Sequence, residues 1–104
     1  MFTFVETSHF ERTLPEYLSD EKYAALQQFM LLNPNAGHIV PGSGGVRKLR
    51  WSIKDHGKRG GVRIIYYVRF APDEFWMLAI YSKSKQENIP AHILKHLKKA
   101  FEDE

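Results

Sequence analysis

Residues Gly44 to Tyr67 read GGVRKLRWSIKDHGKRGGVRIIYY. Seven bases, Arg47, Lys48, Arg50, Lys54, Lys58, Arg59 and Arg63, stand against the single acid Asp55, which leaves the stretch at a formal +6. A solvated basic tail would set such residues among polar ones. Here they are interleaved with Val46, Leu49, Trp51, Ile53, Val62, Ile64 and Ile65, which need a core to bury them. Because strand side chains point alternately to two faces, Val46 to Ile53 predicts a strand with Leu49, Trp51 and Ile53 on one side and Lys48, Arg50 and Ser52 on the other. Val62 to Phe70 predicts a second strand. Its Val62, Ile64, Tyr66, Val68 and Phe70 share one face, and Arg63, Ile65, Tyr67 and Arg69 share the opposite one. Between them, Lys54 to Gly61 has the glycines and the Asp of a hairpin loop. Pairing the two strands gathers Lys48, Arg50 and Arg63 on one patch of sheet.

Working outward, Pro41 to Gly45 (PGSGG) is glycine-rich but is not followed by the Gly-Lys-Ser/Thr and helix that a phosphate-binding loop requires, so it reads as a turn entering a strand. Further upstream, Phe2 to Val5 is a short β-prone run. Ser8 with Glu11 fits a capping box that opens a short helix, and Pro15 interrupts or restarts it. Ser19 followed by Asp20 and Glu21 opens a second helix, with Tyr23, Leu26, Phe29 and Met30 at helical spacing and a stop at Asn33-Pro34. Downstream, Pro72-Asp73 makes a turn, and Phe75 to Tyr81 is apolar on both faces, as in an interior strand. After Pro90, the residues Ile93, Leu94, Leu97, Ala100 and Phe101 form one helical stripe with Lys95, Lys98 and Lys99 on the exposed side. The order β-α-α-β-β-β-α predicts a single α+β domain over residues 1–104, a small antiparallel sheet with two N-terminal helices and a C-terminal helix, the helices packed mainly on one face.

Composition narrows the function. The chain of 104 residues holds no cysteine, which excludes disulfides, thiolate chemistry and cysteine-based zinc sites. It has no apolar run near 20 residues and no N-terminal basic-then-apolar signal pattern. The net charge of +3 hides a division: residues 1–44 carry two bases against five acids, whereas residues 45–104 carry thirteen against seven. One side of the domain should be electropositive, a surface suited to a polyanion such as nucleic acid, or simply a solvated basic face.

Clustered cations suggest a particular chemistry. When a ribose 2′-OH attacks its own phosphate, charge grows on the non-bridging oxygens and the leaving 5′-oxygen needs a proton. Arginines can clamp those oxygens, and a lysine with cationic neighbours can act as acid or base. The same patch could instead only hold RNA. Tyr81 and Lys83 share a face at the end of the third meander strand. The phenol could stack on a base or orient a phosphate, or simply pack at an edge, and Lys83 could serve the leaving group. Lys85 reads as a peripheral backbone contact. Among histidines, His56 lies in the basic loop, and His92 and His96 are one helical turn apart without an obvious third ligand, so they favour an exposed helix over a metal site. His92 remains open as an acid–base group. No Ser has a readable His/Asp setting.

Three blocks together carry a resemblance: Pro41 to Arg50, Gly57 to Tyr67, and Ile-Tyr-Ser-Lys at Ile80 to Lys83. With Phe4-Val5-Glu6 and Glu16 to Glu21, they resemble the RelE superfamily of toxins, and within it the HigB-type branch of bacterial type II toxin–antitoxin systems. The resemblance implies a cytoplasmic, ribosome-dependent mRNA endonuclease that works without a metal or other cofactor and leaves 2′,3′-cyclic phosphate and 5′-hydroxyl ends. Its partners would be mRNA, the ribosome with its RNA, and a cognate antitoxin with a helix-turn-helix DNA-binding domain. By position, Lys48, Arg50, Arg63 and Lys83 match the family's basic residues, with Lys48 or Lys83 handling protons and Arg50 and Arg63 stabilising the phosphorane. Arg47, Lys54, Lys58, Arg59 and Lys85 would engage RNA. Where some members place an arginine and then a tyrosine, this chain has Ser84 and Asn88-Ile89-Pro90, leaving Tyr81 as the nearby phenol. The alternative is a non-catalytic RNA- or ribosome-binding module, or an inactivated toxin acting mainly as an antitoxin partner.

Overall fold

Thr7 and Ser19 each turn the chain into a helix. Thr7 is extended and its hydroxyl accepts from the Phe10 amide at 3.0 Å, and Ser19 does the same for the Lys22 amide at 3.2 Å. The second cap is the one expected, whereas the first lies one residue before Ser8, because Thr7 supplies the same hydroxyl chemistry while also reaching β-sheet backbone. The computed structural model describes residues 1–52, 61–84 and 88–103. The elements are β1 (Thr3–Glu6), α1 (Ser8–Tyr17), α2 (Asp20–Leu32), β2 (His38–Ile39), β3 (Arg47–Trp51), β4 (Val62–Arg69), β5 (Glu74–Ser82) and α3 (Ala91–Glu102). Pro15 is accommodated inside α1, which ends two residues later, and α2 stops at Asn33 ahead of Pro34.

These strands form a five-stranded sheet in the order β1-β5-β4-β3-β2. The α+β architecture and element order are those expected from the sequence, with β2 as an added edge strand of two residues. The β2–β3, β3–β4 and β4–β5 pairs are antiparallel, while β1 runs parallel to β5, so the sheet is mixed. The turn before β3 is held from inside. Ser43 is fully buried, its hydroxyl donates to the Val40 carbonyl at 2.6 Å and it accepts from the Val46 amide at 3.0 Å. Gly44 and Gly45 adopt φ of 79° and 97°, a region that a side chain would strain.

Both faces of the sheet are covered. On one, Phe10, Leu18, Leu26 and Met30 from α1 and α2 pack on Leu49, Val62, Ile64, Tyr66, Phe75, Met77 and Ile80, with Trp51 against Phe29 at the margin. On the other, Leu94 of α3 is buried with Val46, Ile65, Trp76, Leu78, Ala79 and Tyr81, and Leu97 and Phe101 pack around them. The helices are therefore divided between the faces rather than gathered on one, which is what the two apolar faces of β5 require. Burying a Leu-sized side chain contributes about 1.5–3 kcal/mol, so Leu94 is a main anchor of α3. Lys98 does not stand free in solvent: its Nζ lies 4.3 Å from the Tyr67 ring centre and donates to the Gly44 carbonyl at 3.1 Å. Phe70, expected on the core face of β4, lies just beyond the strand end. It is 63% exposed, touching only the Phe2 ring edge-on among aromatic neighbours.

One irregularity lies at the centre. Ile65 pairs with Ala79 but Tyr66 pairs with Met77, so Leu78 is an extra residue in β5. The bulge puts the consecutive residues Leu78 and Ala79 under α3. It also leaves the Leu78 carbonyl to accept from the Thr7 hydroxyl at 3.0 Å, which ties the start of α1 to the sheet.

Candidate functional site

Strand register brings the cations together. Arg50 pairs directly with Arg63, Arg63 pairs in turn with Tyr81, and Lys48 pairs with Ile65 on one side and His38 on the other. Lys48, Arg50 and Arg63 thus share the sheet face that α3 covers further along. With Lys83 just past β5 they line a cleft of about 720 Å³, completed by His38 and Asn88. A second recess of about 540 Å³ shares Arg50, Arg63 and Lys83 and extends to Trp51, Ser52, Gly61 and Ser84. The structure brings together four of the five expected catalytic residues as cleft walls.

The electrostatics of this cleft are lopsided. Like charges directly opposite on neighbouring strands are destabilising, and among the described residues no carboxylate lines the cleft to offset Arg50 facing Arg63. Among the described residues, Arg50, Arg63 and Lys83 have no acidic partner. Lys48 has a neutral one, its Nζ donating to Asn88 Oδ1 at 2.8 Å. Two guanidinium forks and two ammonium groups around one concave surface offer many donors and few acceptors. The occupant that such a surface accepts is an anion with several oxygens, a phosphate above all.

Tyr81 is placed differently. It sits beside Arg63 but belongs to the cluster under α3 and is 6% exposed. Its hydroxyl is buried and finds no partner among the described residues. Burial pushes the phenol above its ordinary range, with the nearby Arg63 charge pulling the other way. A base could stack on this ring only after the cover had shifted. Arg47, expected to touch RNA, points to the opposite face, where its guanidinium donates to the carbonyls of Gly37 at 2.8 Å and Asn35 at 3.2 Å. His92 and His96 are exposed on α3, and neither lines the cleft. Lys54, Lys58, Arg59 and Lys85 lie outside the described residues. Among the described residues no group of three His, Asp or Glu side chains could hold a metal ion.

Two cleft residues escaped the sequence reading. His38 stands in a two-residue strand too short to show alternation. Asn88 lies in an irregular segment that only the fold returns to Lys48.

The fold is similar to that of E. coli toxin RelE. A double arginine-to-alanine mutant of that toxin, in the free state, superposes with a TM-score of 0.55 at 14% sequence identity, over 91% of this chain and 94% of that one. The likeness to RelE is one of fold. No protein-family model matches the chain, and no helix among the described residues is long and apolar enough to cross a membrane.

Proposed function

We propose that this protein is the toxin of a type II toxin–antitoxin system, of the HigB type within the RelE-like fold, and that it cuts mRNA on the ribosome. The observation that carries the reading is the cleft: Lys48, Arg50, Arg63 and Lys83 converge on one concave surface, with no carboxylate lining it among the described residues. In the reaction, the ribose 2′-oxygen loses its proton and bonds to the adjacent phosphorus, and the bond from phosphorus to the 5′-oxygen breaks. The products are a 2′,3′-cyclic phosphate and a 5′-hydroxyl. Arg50 and Arg63 stabilise the charge that builds on the non-bridging oxygens, Lys48 adds a donor held in place by Asn88, and Lys83 supplies the proton that the 5′-oxygen takes up. These steps use side chains alone. The ribosome would be engaged by the basic residues Lys54, Lys58, Arg59 and Lys85, and Arg47 would contribute from the far side. A cognate antitoxin with a helix-turn-helix domain would neutralise the toxin in the cytoplasm.

Mapping mRNA 3′ ends after induction tests this. Discrete cuts within translated frames, ending in cyclic phosphate, are the expected result. Arg63→Ala should lower cleavage by about 100- to 1,000-fold, the usual cost of one transition-state donor, and relieve growth arrest while the protein still folds. Full toxicity of Arg63→Ala at equal expression would sink the assignment. Stalled translation with intact messages would instead favour a ribosome-binding module without catalysis.

A further inference from the structure

The proposed reaction leaves one proton unassigned, that of the attacking 2′-hydroxyl, and among the described residues that line the cleft one side chain is not used by the scheme. His38 lines the cleft beside Lys48, its pairing partner across β2 and β3. The other lining groups among the described residues are amines, guanidiniums and an amide. Imidazole is the one among these types whose ordinary titration range spans neutral pH, so it can be present as a base while amines and guanidiniums carry charge.

The fold also invests heavily in placing this residue. Strand β2 has two residues, both exposed, and adds little burial to the sheet. Yet the segment before it is fixed from three directions. The Tyr66 hydroxyl, on a fully buried ring, donates to the Pro34 carbonyl at 3.1 Å and accepts from the Gly37 amide at 3.3 Å. Arg47 holds the carbonyls of Asn35 and Gly37. Gly37 itself presses on β3 so closely that a Cβ there would lie 2.5 Å from the Lys48 carbonyl oxygen. The Val40 amide closes the far side on the Val46 carbonyl at 2.8 Å. A core tyrosine, an arginine and a glycine contact thus converge on the backbone immediately before His38, which sets its side chain against the cationic wall.

From this placement we propose that His38 is the general base of the cleft. It takes the 2′-hydroxyl proton as the 2′-oxygen bonds to phosphorus, while Lys83 gives a proton to the departing 5′-oxygen. One proton is accepted and one donated, and solvent restores both groups after the products leave. Among the described residues, the charged groups that line the cleft with His38 are Lys48, Arg50, Arg63 and Lys83. The role rests on the cleavage reading above, and the experiment separates the two.

Single-turnover cleavage of a ribosome-bound message is followed from about pH 5.5 to 8.5, across the imidazole range, for the wild type, His38→Ala, His38→Gln and Arg63→Ala. The wild-type rate should rise through that range and level off. Both His38 variants should melt and bind ribosomes like the wild type, cleave roughly 100- to 10,000-fold more slowly, and lose the rising acid limb. His38→Ala cleaving at the wild-type rate while Arg63→Ala does not would leave the cleavage reading standing and overturn the role of His38. A slowed variant that keeps the acid limb would overturn it too, since positioning alone leaves the titrating base in place. A wild type that does not cut at all would remove the proposed function and this role together.

Discussion

Tyr23 lies where a phenol has little room to ionise. Its hydroxyl donates to Glu6 Oε2 at 2.6 Å in a half-buried contact between α2 and β1. Burial is the main cause that lifts its pKa above the ordinary value of 10.0, then the hydrogen bond to Glu6 and the Glu6 charge, with Gln27 pulling weakly the other way. Burial lifts Tyr66 in the same direction. Since the folded state holds these protons more tightly than the unfolded chain, their contribution is fully present below about pH 10 and is lost as pH rises toward the folded values. Thermal melting between about pH 9 and 11 should therefore show a falling transition temperature, with a shallower fall in Tyr23→Phe, which cannot ionise there. Equal slopes in both proteins would show that Tyr23 is not among the groups responsible. None of this was visible in the sequence, where Tyr23 reads as one more apolar position on α2. The Glu6 contact joins residues 17 positions apart through the packing of a helix on a strand.

At the level of elements, the legible parts were those with a period. Alternation over eight residues of β4, and in β3 as far as Trp51, assigned core and cation faces because a strand has only two sides. The helical stripe of α3 identified Leu94, Leu97 and Phe101 for the same reason. What alternation could not reveal was any departure from it. Leu78 sits in an unbroken apolar run, so nothing marked it as a bulge that places two successive side chains under α3. His38 and Ile39 make too short a strand to show a pattern, and their value for the site comes from register alone. That register depends on Gly37. Replacing Gly37 with Ala puts a methyl group against backbone, Lys48 O at 2.5 Å and Lys48 C at 2.8 Å, so β2 must lift off β3. The expected cost is about 1–3 kcal/mol in urea denaturation. Faster amide exchange at Val40, with β4 amides unchanged, would locate the damage. Wild-type stability and exchange in Gly37→Ala would mean that β2 has slack the contact does not suggest.

For the whole molecule, the uneven charge of the two halves is concentrated where β3 and β4 meet. A native state that sets Arg50 opposite Arg63, with no acid lining the cleft among the described residues, gains from any anion that binds there, because ligand binding to the folded form raises its stability. Inorganic phosphate should therefore raise the melting temperature of the wild type in a saturable way, by the equivalent of about 2.7 kcal/mol at 100 times its dissociation constant. In a variant carrying both Arg50→Gln and Arg63→Gln, that response should vanish while the melting temperature at low salt rises. Equal phosphate responses in the two proteins would argue that the cleft does not bind the anion. Sequence alone foresaw the gathering of Lys48, Arg50 and Arg63, since hairpin pairing follows from two alternating strands. It could not foresee that Arg47, adjacent to Lys48, also holds the carbonyls of Asn35 and Gly37, because that depends on which carbonyls the α2–β2 segment leaves within reach.

The parallel pairing of β1 with β5 has a consequence in time. Thr3 pairs with Glu74, so the first strand made is paired only when the last strand exists. At roughly 5–20 residues per second, that delay is on the order of 4 to 14 seconds of synthesis. During it, Phe2 and Phe4 lack the Phe75 ring on which both stack in the finished fold. The hairpins of β3, β4 and β5 join neighbours in the chain and can close first, so β1 is the strand that completes the sheet. The part of the cleft built on β3 and β4, with Lys48, Arg50 and Arg63, would thus form before the first strand has found a place.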